Sequence, residues 1–160
     1  MHKTRNDIPE AARRTVTELL AVPLASAIDL GLQAKQAHWN VKGANFIALH
    51  ELFDTIAGIA HAKADALAER IAALGGAPQG TVQAISMRSR LAGYPDAISA
   101  GSAHLAALAD ALAAFARLAR GGIDVADAAG DAVTADLLTE IAGDIDQQLW
   151  FVEAHLQSAA

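Results

Sequence analysis

The chain has 160 residues, 53% of them hydrophobic and only 4% aromatic, with 12 Lys and Arg against 18 Asp and Glu. A net charge of −6 argues against nucleic-acid binding through bulk charge, and the absence of cysteine excludes disulfides and thiolate metal sites. No run of about 18 apolar residues lacks a charge, so no membrane span is expected; the N-terminus, MHKTRNDIPEAARR, lacks the apolar stretch of a signal peptide, and a cytoplasmic location fits.

A single domain over 1–160 is expected, with 1–7 as a short N-terminal tail, because a chain of this size buries a core of its own. Alanine and leucine with few β-branched runs favour helix. The first helix is predicted over Ile8–Asn40, with Pro9 in its first turn. Pro23 lies inside it and should kink or break it. VKGAN makes a short connection. The second helix runs from an Asn45 cap to Leu74, where Gly75-Gly76 stops it. The connection that follows, GAPQGTVQAISMRSRLAGYP, is too long for a tight turn and carries a short extra helix near Thr81–Arg88. The third long helix is predicted over Asp96–Arg120, ended by Gly121-Gly122, and IDVADAAGDAV is then an acidic connection. The fourth spans Ala132–Gln157, with Leu138, Ile141, Ile145, Leu149, Val152 and Leu156 at helical spacing. Four amphipathic helices in one domain imply an all-α four-helix bundle, with the topology left open.

The second helix carries the chemistry. On a helix at about 100° per residue, His50, Asp54, His61, Asp65 and Glu69 share an arc of about 100°. Phe46, Leu49, Phe53, Ile56, Leu67 and Ile71 fall on the other side. Two imidazoles and three carboxylates suit Fe²⁺ or Mn²⁺, and His38 in KQAHWN stands just upstream. Asp65 and Glu69 are i,i+4 neighbours, as are His50 and Asp54. Asp54 and Asp65 lie about 16 Å apart along the axis and cannot share one ion within a chain. Either there are two sites, or two halves meet between chains across a two-fold axis. From the stripe alone, a solvated helix face is the commoner use of such residues. His104 and His155 lack carboxylate partners at useful spacing and read as structural, and no histidine has a glutamate three residues before it, which argues against a di-iron centre inside the bundle.

KQAHWNVKGANFIALHELFD, followed by AERIAALGG and GT, resembles the Dps family, the mini-ferritins named as DNA-binding proteins from starved cells. The ordered pattern HWN-x-x-G-x-x-F-x-x-x-H-x-x-x-D carries the likeness, which extends from TRND at Thr4–Asp7 to LWFVE at Leu149–Glu153. The resemblance implies a ferritin-like bundle with a short extra helix in the middle connection, assembled as a hollow shell of twelve subunits. It implies metal ligation by His38, His50 and Asp54 of one subunit with Asp65 and Glu69 of its partner. Trp39 and Lys35 match the tryptophan beside that centre and a lysine able to pair with its carboxylates. His61 is outside the usual pattern, as a second-sphere or additional ligand. The implied activity is that of a ferroxidase, an oxidoreductase that oxidises Fe²⁺ to Fe³⁺, preferentially with hydrogen peroxide, and stores ferric oxide in the cavity, protecting DNA. Other divalent metals such as Zn²⁺ or Mn²⁺ suit the same ligands. Asp127, Asp131 and Asp136 are the candidates for an acidic pore that admits ions, the alternative being carboxylates that favour a helix N-terminus. The competing reading is a nucleoid-compacting DNA-binding protein with little catalytic role. Only Met1-His2-Lys3 precedes TRND and the chain ends HLQSAA, so weak or absent DNA binding is the expectation.

Overall fold

The computed structural model describes residues 1–157 and contains five helices among them. They are α1 (Glu10–Asn40), α2 (Phe46–Ala73), α3 (Val82–Arg88), α4 (Gly101–Ala128) and α5 (Ala132–Ala154). The last three residues of the HLQSAA end lie outside the described residues. The long helices are α1, α2, α4 and α5, and α3 is the short extra helix expected in the middle connection.

Helix α1 runs unbroken through the buried Pro23, so of the kink or break expected there the break does not occur. A mid-helix proline removes one backbone hydrogen bond and crowds the preceding turn. Here the surrounding residues Leu20, Leu24, Ala27 and Leu30 are all buried, and core packing holds the segment helical. Helix α2 ends as expected. Gly75 takes a left-handed φ of 84°, and the Gly76 and Gly75 N–H groups donate to Ile71 and Ala72 at 2.8 and 2.9 Å. This is the paired closure that needs a glycine after the last turn. The N-terminal arm folds onto the same end, where the His2 N–H donates to Gly75 O at 2.6 Å.

Two expectations about α4 are corrected. It starts at Gly101, not Asp96, because the strand-like contact of Lys42 N–H with Ser99 O, 2.9 Å, holds the preceding segment extended. It also continues through Gly121-Gly122 to Ala128. Gly122 is buried, and a Cβ there would lie 2.8 Å from a Leu138 methyl. The residue is a close-approach position between α4 and α5. The true stop is Gly130, at φ 77°, with Asp131 N–H donating to Ala126 O at 3.0 Å. The acidic connection thereby shrinks to three residues, and Asp124 and Asp127 lie in the closing turns of α4.

Helices α1 and α2 pack along each other, α4 and α5 do the same, and α1 against α4 joins the two pairs. Phe53, Phe115, Leu20, Leu30, Leu67, Leu108, Leu112, Leu138 and Ile145 are fully buried between them. Each contributes about 1.5–3 kcal/mol by leaving water. Stretches of α1 and α4 are apolar and long enough to cross a membrane, and in the bundle 44% of each such window is buried. The crossover from Gly75 to Ala100 leaves the far end of α2 and returns beside the α1–α2 turn at Lys42. Helices α2 and α4 therefore start at the same end and run parallel. The crossover is pinned along α1 by Ser26, Asp29 and Gln33, which bond to Arg90 N, Ser89 Oγ and Ala92 O.

Candidate metal centre

The α1–α2 turn brings His38 and His50 face to face. Their rings stack with centroids 3.6 Å apart and planes 20° from parallel. His38 Nδ1 lies 2.7 Å from the carbonyl of His50, and His50 Nδ1 lies 2.9 Å from the carbonyl of His38. Carbonyl oxygens only accept, so both Nδ1 atoms carry the proton and donate. Each neutral ring then keeps its lone pair on Nε2, the form a metal ligand requires. Local folding explains the contact to the His38 carbonyl. His38 lies in the last turn of α1, where carbonyls lose their helical partners. The N–H that would have served it, that of Lys42, is taken by Ser99 O. His50 Nδ1 fills the vacancy.

Asp54 stands one turn beyond His50 and pairs with Lys35 of α1. The hydrogen-bonded Lys35 ammonium holds its carboxyl below the usual aspartate range, so Asp54 is ionised at neutral pH. A cation binding Asp54 competes with this ammonium. Lys35, Asp54, Gly58 and His61 line a hollow between α1 and α2, together with Leu32. Leu32 and Trp39 are 57% and 68% exposed, a large apolar area to leave in water beside charged ligands.

Asp65 and Glu69 follow on the same face of α2, both exposed. Asp65 lines an adjoining hollow that also takes in His61, Ile28 and Pro78. Among the described residues of one chain, no three His, Asp or Glu converge to hold an ion. The structure stacks His38 on His50 and pairs Asp54, one turn further on, with Lys35, and leaves Asp65 and Glu69 apart from them.

Of the three acidic candidates for a pore, Asp127 and Asp136 are exposed. Asp131 is corrected: its side chain is fully buried. Its Oδ1 accepts from Thr134 N at 3.0 Å and from Arg70 at 2.6 Å, and its Oδ2 accepts from Thr134 Oγ1 at 2.6 Å. It is the cap of α5 and ties that helix to α2. His104 is structural, as read from the sequence. It is buried beside Phe53, with Nδ1 2.6 Å from Tyr94 Oη. Sequence reasoning missed the two carbonyls that orient the histidine rings. The signal for them was faint: two histidines 12 residues apart across a predicted helix hairpin.

A ferritin-like domain model matches residues 17–160. The chain is 47% identical to the DNA protection during starvation protein of Agrobacterium fabrum, over 98% of this chain and 96% of that one. It is 40% identical to the protein of the same name from Mycolicibacterium smegmatis, over 90% of this chain and 78% of that one. A solved structure of Mycobacterium smegmatis Dps superposes with a TM-score of 0.92 at 36% identity, covering 99% and 96% of the two chains. Dps from Microbacterium arborescens in the high iron form superposes at 0.87 with 31% identity, covering 96% and 97%. The chain thus belongs to the Dps family of ferritin-like proteins.

Proposed function

We propose that this protein is a ferroxidase and iron store whose centres form between subunits of a twelve-subunit shell. The observation that carries the reading is the split ligand set. One half, His38, His50 and Asp54, is orientated and ionised in the single chain. The other half, Asp65 and Glu69, is exposed on the same helix face. An antiparallel two-fold crossing of α2 unites them. Setting Asp54 opposite the partner's Asp65 also sets His50 opposite the partner's Glu69, because both pairs are centred between Ile59 and Ala60. One register brings together all four α2 residues of the set, with His38 stacked on His50, and two identical centres result. The same crossing covers Leu32 and Trp39.

Iron is the substrate. Carboxylate oxygens favour Fe³⁺ over Fe²⁺ and so promote loss of the electron. Two Fe²⁺ supply the two electrons that reduce one hydrogen peroxide, with two protons, to two waters, and no hydroxyl radical is released. Asp127 and Asp136 are the remaining candidates for drawing cations inward. Asp127 lies at a helix C-terminus, where the dipole disfavours a carboxylate, so local stability does not account for it. The same ligands accept Zn²⁺ or Mn²⁺.

Direct DNA binding is weak in this reading. Of the four basic residues near the start, Arg13 is buried with its guanidinium on Ile8 O and Leu74 O, and Arg14 pairs with Glu10. Lys3 and Arg5 remain exposed on a chain of charge −6. A DNA mobility shift that persists at about 150 mM salt would contradict this. The central test is the Asp65→Ala, Glu69→Ala double variant. Light scattering should still give about twelve times the 16.5 kDa chain mass. Its peroxide-dependent oxidation of Fe²⁺ should fall close to the rate in buffer. Undiminished oxidation would place the centre elsewhere.

A further inference from the structure

The crossing proposed above leaves one ionisable side chain of the stripe unassigned. His61 is exposed and lies between the two half-sites. It lines the hollow that holds Asp54 and Lys35, and also the adjoining hollow that holds Asp65. In the register that pairs Asp54 with the partner's Asp65, His61 falls opposite the partner's Gly58. An exposed glycine in the middle of a helix costs about 1 kcal/mol relative to alanine. A Cβ at Gly58 would meet nothing within 4 Å in its own chain, so packing inside the bundle does not require the glycine. Its effect lies outside: it leaves room for a ring to approach the helix surface. Gly58 is one turn from Asp54, and His61 is one turn before Asp65. The imidazole of one subunit therefore arrives beside the Asp54 of the other and on the same side as its own Asp65.

We infer that His61 is a further metal ligand, supplied by the subunit that contributes Asp65 and Glu69, and that it completes a second cation position in each shared centre. The inference rests on the inter-subunit reading above. The five residues already assigned comprise two imidazoles stacked on each other and three carboxylates. They surround one ion well and leave a second with carboxylate oxygens alone. A third imidazole, entering from the opposite chain, gives the second ion a nitrogen donor of its own. Both ions are then held together before oxidant arrives, the condition for a two-electron reduction.

The test uses the metal-free assembled shell and Co²⁺ alone, followed by calorimetry and visible absorption. Wild-type protein should bind two Co²⁺ per subunit in two resolved steps. His61→Ala should keep the first step and weaken the second about tenfold or more. His61→Asp, which returns a donor atom to the position, should recover most of the second step. Both steps at wild-type affinity in His61→Ala would overturn the inference and leave the shared centre standing. Retention of the first step in Asp65→Ala, Glu69→Ala would instead overturn the shared centre, and the role of His61 with it.

Discussion

Asp131 separates a structural carboxylate from an ion-conducting one, and its replacement has a calculable outcome. Asp131→Ala removes three interactions at once. The cap on Thr134 N contributes about 0.5–2 kcal/mol. The hydrogen bond from Thr134 Oγ1 is lost with it. Arg70, whose side chain is only 14% exposed, is left without its carboxylate. Breaking one side of a buried pair costs about 3–5 kcal/mol. These contributions overlap, because Arg70 Nε also bonds Thr134 Oγ1 at 2.8 Å. We expect a net loss of about 3–5 kcal/mol, which lowers the melting temperature by about 6–20 °C in a chain of this length. Asp131→Asn keeps the cap but loses the charge and the acceptor for Thr134 Oγ1, at about 1–3 kcal/mol. The assay is a circular-dichroism melt at fixed subunit concentration, since assembly contributes to apparent stability. Iron oxidation is measured in parallel at 25 °C, on shells isolated by size. The expected result is a large drop in melting temperature with oxidation unchanged in intact shells. A wild-type melt combined with slowed iron uptake would refute the burial argument and restore Asp131 to the pore.

Lys35→Met removes the counter-charge that holds the Asp54 carboxyl below its ordinary range and that a cation must displace. First-step Co²⁺ affinity at pH 7 should rise, while the acid limb of binding should move to higher pH as the Asp54 carboxyl returns toward its ordinary range; a pH series of titrations reads both. His104 is held below the ordinary histidine range by burial, partly opposed by the carbonyls of Asn40 and Ile98. The unfolded chain therefore takes up a proton, at about pH 6.5, that the folded chain resists. Stability should be at its fullest above that pH and decline as pH falls below it, and denaturant midpoints of His104→Gln should lack this part of the slope.

The helix pattern of this chain was legible because local chemistry and tertiary packing agree over most of it. The left-handed Gly75, the Thr81 cap of α3 and the stripe on α2 all stand where spacing puts them. Where they disagree, the sequence misleads. Gly121-Gly122 has the form of a stop, yet Gly122 exists to let α5 close on α4, and nothing local distinguishes the two uses. Asp131 has the form of one acid among several, and only the fold brings Arg70 to it from 61 residues away. Ser26, Asp29 and Gln33 were also silent. They share the face of α1 on which the crossover lies, and their partners come from a loop without periodicity.

The proposed centre can be read in the sequence as a set of residue types but not as a geometry, for a physical reason. Its two halves are not equivalent. The histidine half is built by the fold: a helix end that leaves the His38 carbonyl open, a tight turn, and a lysine paired with the carboxylate of Asp54. The Asp65–Glu69 half has no such support and stands in solvent as two acids one turn apart. Alone it binds cations weakly, as any exposed carboxylate pair does. Docking it onto the histidine half excludes water from both, which strengthens each charge interaction there. In the function proposed here, subunit assembly converts a modest cation-binding face into an oxidising centre. A free subunit would hold Fe²⁺ loosely and oxidise it slowly, and reactive iron would be handled only where a cavity exists to receive the product.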